Sequence, residues 1–151
     1  MNTFISISGM DTVINRLKKL PKEAQNEGVE EANKYMVNIM QKYPPKSSEP
    51  FQWSSDKQRK AVMAKLREQG QTHYSRTQEL RRGWKTKGKG VNQIVENLIP
   101  YTQFVQDRNQ IQGHRARGWM TVNTMLNDKG KEILKKFDAG VKKAIKKLKL
   151  N

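Results

Sequence analysis

The chain has no cysteine, two histidines, and 14 acidic residues against 30 basic ones. Without cysteine there is no disulfide framework and no thiolate chemistry, which fits a reducing compartment. His73 and His114 stand at no metal-ligand spacing with a Cys, Asp or Glu partner, such as HExxH, so no metal site is expected. Both read as exposed loop residues. The few carboxylates are scattered. Glu23, Glu27, Glu30 and Glu31 share one helical stretch, and Glu96 and Asp107 flank a central motif. A two-metal nuclease needs carboxylates converging on ions about 4 Å apart, and no acid-rich signature suggests that. The glycines of Lys85–Gly90 (KTKGKG) lack the GxxxxGK[ST] spacing, so they read as a turn rather than a phosphate loop. No catalytic residue, cofactor or enzymatic activity is expected. No apolar run approaches about 18 residues, so no transmembrane helix is expected. The opening MNTFISISG has neither a basic n-region nor a long apolar stretch, so it does not read as a signal peptide.

Apolar residues are also scarce. Counting Gly and leaving out Tyr they make about 38% of the chain, against roughly 45–50% in ordinary domains. At 151 residues the chain fits one domain, 1–151. A thin core suggests a small globule with polar extensions that order against neighbouring molecules. What the chain has in excess is positive charge, +16 net. Such a field repels copies of itself and attracts polyanions, whether nucleic acid or an acidic protein.

Along the chain, Thr3–Ser8 alternates as a short strand ended by Gly9. Asp11 fits the N-cap of a first helix bearing Val13, Ile14, Leu17 and Leu20. Pro21 interrupts it and can start a second, Lys22 to about Lys42, stopped by Pro44-Pro45. On that helix Glu30 and Glu31 are placed to pair with Lys34. Residues 44–55 are rich in Pro and Ser and form an arm carrying Phe51 and Trp53. A basic helix follows from Ser55 to about Gln69, with Val62, Met63 and Leu66 as its apolar stripe and Gly70 as its stop.

Tyr74–Lys85 (YSRTQELRRGWK) reads as a short helix or turn leading into a strand near 83–86. Lys85–Gly90 is the hairpin turn, and Val91–Asn97 the returning strand. Pro100 opens a helical turn with Tyr101, Phe104 and Val105. Residues 107–118 read as a flexible polar loop. The last helix, capped by Asn123 or Thr124, runs to about Leu148. Its apolar face is Ile133, Leu134, Phe137, Val141, Ile145 and Leu148. The other face holds Lys135, Lys136, Lys142, Lys143, Lys146, Lys147 and Lys149. The expected fold is α+β: N-terminal helices, a small antiparallel sheet with a central hairpin, and a long amphipathic C-terminal helix.

Arg76, Arg81 and Arg82 are too dense to be buried, and Trp84 lies beside them. Arginines with aromatics mark protein interfaces and can stack on bases. Trp84 fits equally well as the core anchor of its strand. Phe51 and Trp53 either dock on a neighbouring molecule or fold back on their own domain. The C-terminal lysine face reads as solvated or partner-packed, as DNA-facing, or as membrane-bound. The last needs an interfacial Trp that the helix lacks.

The order of these motifs resembles the tail-component family of lambdoid bacteriophages, which includes tail-completion and neck proteins. Arg76-Thr77 with Leu80 matches one family pattern, and Asn97 with Tyr101–Val105 matches another. Gly113 and Gly118-Trp119 fall where that family has a Gly-rich loop. Gln78 stands where it usually has Gly. The resemblance covers most of the chain from about Tyr43 onward. It implies a virion structural protein at the head–tail junction, assembled in the bacterial host cytoplasm as a ring of six or twelve subunits around the DNA channel. Implied partners are a head–tail connector, a tail terminator and packaged DNA held by non-specific electrostatics. Phe51, Trp53, Arg76, Arg81, Arg82, Trp84, Tyr101 and Phe104 are then candidate interface residues. Lys85, Lys87, Lys89, Lys142, Lys143, Lys146 and Lys147 are candidates to face DNA. The competing reading is a stand-alone basic nucleic-acid-binding protein.

Overall fold

The structure, a computed structural model, describes residues 3–4, 20–45, 50–68, 70 and 78–148. The expected helix from Asp11, Arg76-Thr77 and His73 lie outside the described residues. The fold is α+β.

Two long helices form its frame. Helix α1 spans Lys22–Met40 and follows Pro21, whose extended backbone opens the first turn. It ends two residues short of the expected Lys42, ahead of Pro44-Pro45. Its buried Ala24, Gly28, Ala32, Met36 and Ile39 recur every three or four residues, which makes one apolar face. The short helix α2 spans Asp56–Glu68. Ser55 Oγ accepts the Gln58 amide at 3.1 Å, and Gln58 Oε1 accepts the Ser54 amide at 3.0 Å. This reciprocal pair resembles a capping box and satisfies donors that the first turn leaves open.

Three short helices follow, α3 (Glu79–Gly83), α4 (Thr102–Gln106) and α5 (Gln112–Ala116), and then the long last helix α6 (Val122–Lys147). Helix α6 starts earlier than expected, because Thr121 and not Asn123 or Thr124 is the cap. The Thr121 hydroxyl accepts the Thr124 amide at 3.1 Å. Helix α6 runs antiparallel to α1, with Tyr35 bonded to Glu132 at one level and Glu27 to Lys143 further along.

The helices meet at two glycines. A Cβ on Gly140 would lie 2.9 Å from Gly28 Cα, and one on Gly28 would lie 2.6 Å from the Phe137 ring. No larger residue fits without a shift, so this crossing sets the helix spacing. Most of the expected apolar face of α6 faces the core, with Phe137 and Ile145 half-buried. Ile133, Val141 and Ala144 are buried, whereas Leu134 is 47% and Leu148 41% exposed.

Three strands form the sheet: β1 (Thr3–Phe4), β2 (Trp84–Lys87) and β3 (Ile94–Asn97), in the order β1-β3-β2, all antiparallel. Trp84 pairs with Asn97 and Lys87 with Ile94. The strand expected near 83–86 extends to Lys87, which was expected in the turn. Val91, expected in the strand, lies in a 3-10 turn, Gly90–Asn92. Gly88 (φ 98°) and Gly90 (φ 59°) take left-handed backbone, which only Gly adopts without strain, so the chain reverses there.

Trp84 and Val95 point from the sheet into a core shared with Met36, Ile39 and Met40 of α1 and Val122, Met125 and Ile133 of α6. The polar stretch 107–118, expected as a loop, contains α5. Its His114 is buried rather than exposed, in ring contact with Phe51 and Trp119.

Candidate interaction surfaces

The motif residues gather at the C-terminal end of α1. Leu80, Val105 and Trp119 form a buried cluster with Tyr43 and Tyr101 packed against it. Asn97 ties its pieces together. Its Nδ2 donates to the Leu80 carbonyl at 2.8 Å, and its Oδ1 accepts the Ile99 amide at 3.0 Å. Gln106 does the same one layer away, accepting from Trp84 Nε1 at 2.8 Å and donating to the Met40 carbonyl at 2.9 Å. Such buried amides stabilise only when their donors and acceptors are matched, as here. Glu96, 1% exposed, pairs across the sheet with Lys85, on the other face of β3 from Asn97, and its Oε1 has no hydrogen-bond partner among the described residues. The sequence showed no sign of these buried side chains beyond polar residues standing among apolar ones.

Trp84, an interface candidate, is instead 2% exposed and anchored by Gln106. A ring of that size at the start of β2 faces α1 because its strand neighbours Lys85 and Lys87 must face away from it. Phe51 packs on its own chain, against Trp53 at 4.6 Å and His114 at 5.2 Å between ring centroids, with the Arg117 guanidinium 4.7 Å above it. Gly113 leaves room for the Phe51 ring, since a Cβ there would collide with it. Of the two placements open for the arm, the structure shows the one on its own domain. Trp53 and Tyr101 are half-buried; Arg81, Arg82 and Phe104 are exposed. Tyr43 accepts the Arg81 amide at 3.3 Å. A cavity of about 360 Å³ lies beside it, lined by Asn38, Gln41, Lys42, Tyr43, Gln78 and Arg81. Amides, a phenol and two cations offer hydrogen bonds and positive charge there, without a nucleophile–base pair.

The lysines divide into two groups. Lys143 bonds Glu27 at 2.5 Å and Glu31 at 3.5 Å, and Lys147 lies 3.9 Å from Glu27. The Lys143 ammonium, more than the opposing effect of burial, holds the Glu27 carboxyl below its ordinary value. Glu27 in turn raises Lys143. These two lysines, candidates to face DNA, bridge α6 to α1 while their side chains stay 50% and 65% exposed. Lys34 pairs with Glu30 at 2.7 Å and Glu31 at 3.7 Å, as its spacing predicts. Lys142 and Lys146, with Lys85, Lys87 and Lys89, are exposed and form no ion pair with the described residues.

Among the described residues no group of three or more His, Cys, Asp or Glu is placed to hold a metal ion. None of their helices is long and apolar enough to cross a membrane. Comparison with protein-family models, with curated proteins and with solved structures gives no match.

Proposed function

We propose that this chain is a structural subunit of a tailed-bacteriophage virion, a tail-completion or neck protein that closes into a ring at the head–tail junction around the DNA channel. One observation carries the reading. Five of the residues on which the family resemblance rests, Leu80, Asn97, Tyr101, Val105 and Trp119, form a packing node. A signature made of core contacts specifies a shape to be repeated, whereas a catalytic signature converges on a space for substrate. The thin apolar content and the +16 charge suit a subunit completed by neighbours and polyanion. Ring contacts are heterologous and close by rotation. Arg81, Arg82 and Phe104 with the outer sides of Tyr101 and Trp53 supply one such surface.

Negative-stain images of the purified protein, alone and with connector or tail-terminator rings, test this. Closed rings or stacking on a partner ring are expected. Monomers under every condition would overturn it. The second reading, a stand-alone nucleic-acid-binding protein, is favoured by the unpaired lysines. It calls for tight duplex binding by a monomer, with log affinity falling steeply against log salt.

A further inference from the structure

Two groups of lysines without an ion pair among the described residues, those of the hairpin and those of α6, lie on opposite sides of α1. Asn26 and Asn33 of α1 face the hairpin, where a Cβ on Gly90 would lie 2.9 Å from Asn26 Oδ1 and Asn33 bonds Gln93 at 3.3 Å. Gly28 and Tyr35, each two residues on, face α6. Two residues turn an α-helix through about 200°, so hairpin and α6 flank nearly opposite faces. On β2, Lys85 and Lys87 alternate with the core-facing Trp84 and point away from α1.

On α6 the same arithmetic selects a row. Lys131 and Lys135 each lie two residues from buried Ile133. Lys142 lies two from buried Gly140 and Ala144, and Lys146 two from Ala144. All four are exposed and face away from α1. The two lysine groups therefore look outward in opposite directions, with a helix-thick layer of roughly 10 Å between them. A straight duplex running past one subunit meets one of them.

We infer that the phosphate-binding face is the α6 row Lys131, Lys135, Lys142 and Lys146, and that the hairpin lysines are not part of it. This takes the polyanion contact of the proposed reading as its starting point and assigns it to named residues. Two observations favour the row. Lys131 with Lys135, and Lys142 with Lys146, are like-charged i,i+4 pairs, which destabilise a helix. No ion pair with the described residues compensates them, unlike Lys143 and Lys147, which share Glu27. A polyanion would compensate them. The row also lies on one rigid helix and spans roughly 22 Å at 1.5 Å per residue. Lys85 and Lys87 have a sufficient local reason: β2 is an edge strand, and lysines on an edge block pairing with other strands. Asp138 sits one turn from both Lys135 and Lys142, ion-paired to neither, and opposes binding.

The test is the salt dependence of binding to a 30-base-pair duplex, read by fluorescence anisotropy on folded full-length variants. Each phosphate contact contributes about 0.9 to the slope of log affinity against log salt. K131Q/K135Q/K142Q/K146Q is expected to flatten the slope by about 3–4. The milder K142Q/K146Q, which guards against misfolding, is expected to flatten it by about 2. K85Q/K87Q/K89Q leaves the slope unchanged, and Asp138→Asn steepens it. The inference is overturned if the hairpin variant carries the loss, if wild type binds no duplex, or if polyglutamate displaces the duplex as well as unlabelled DNA does, which would mark an acidic protein as the partner. Particle mass in the same buffers separates the two readings. A flattened slope in a monomer keeps this inference without the ring, and a ring with an unchanged slope removes it alone.

Discussion

Asn97 and Gln106 show how single side chains hold this fold. Each satisfies two groups in an interior where an unpaired polar atom costs about 1–3 kcal/mol. Asn97→Ala leaves the Leu80 carbonyl and the Ile99 amide without the side-chain partners they have now. The expected loss is about 2–3 kcal/mol of unfolding free energy, measured by urea titration; an unchanged midpoint would contradict the role given to Asn97. Gly140→Ala tests the crossing. Its Cβ would meet Glu27 backbone and Gly28 Cα, so about 1–3 kcal/mol is lost through a forced helix shift. Gains from helix propensity alone, about 1 kcal/mol for Gly to Ala, would show that the helices have room to spare. None of these residues was legible as a site. Asn97 entered only through a family pattern. Gly28 and Gly140 gave no signal, because closeness between distant segments leaves no local periodicity.

At the scale of elements, the helix pair was legible, and the edge of the buried face of α6 was not. Spacing alone found α1, α2 and α6 within a few residues. It put Leu134 and Leu148 on the buried face, because an apolar count does not register that Gly140 and Ala144 pack more closely. The hairpin was found, but its turn was displaced by three residues. Lysines looked like loop chemistry, whereas an edge strand tolerates them on its outer face. His114 was read as exposed because the ring that covers it, Phe51, comes from a segment far away in sequence.

The α1–α6 clamp makes a pH prediction. Glu27 is depressed chiefly by the hydrogen bond from Lys143, and Glu132 by the Tyr35 hydroxyl and then Lys129. A depressed carboxyl stabilises above its unfolded value, about 4.3, and the gain is lost as pH falls through the folded value. Lys143 is raised, so its contribution is present below about 10.4 and lost as pH rises through its folded value. The melting temperature should stay level through neutral pH and fall below about pH 4. Lys143→Gln should flatten the acid limb, and a variant with the wild-type profile would show that the clamp contributes nothing. Thr121→Ala, removing the α6 cap, should cost about 1 kcal/mol in the same melts.

For the whole molecule, composition said more than any motif. Few apolar residues and an excess of 30 cations over 14 anions point to a unit whose surroundings complete it. The structure adds direction to that excess: some lysines are clamps, some guard an edge, and one row faces outward from α6. The absence of matching relatives leaves the virion reading resting on motif order and on the node those motifs build. Native mass spectrometry of the purified 17.5 kDa chain, alone, with a short duplex and with a connector or tail-terminator ring, tests it most directly. The account predicts a closed species of six or twelve copies in at least one of these conditions; a single copy throughout, bound to DNA or not, would contradict it.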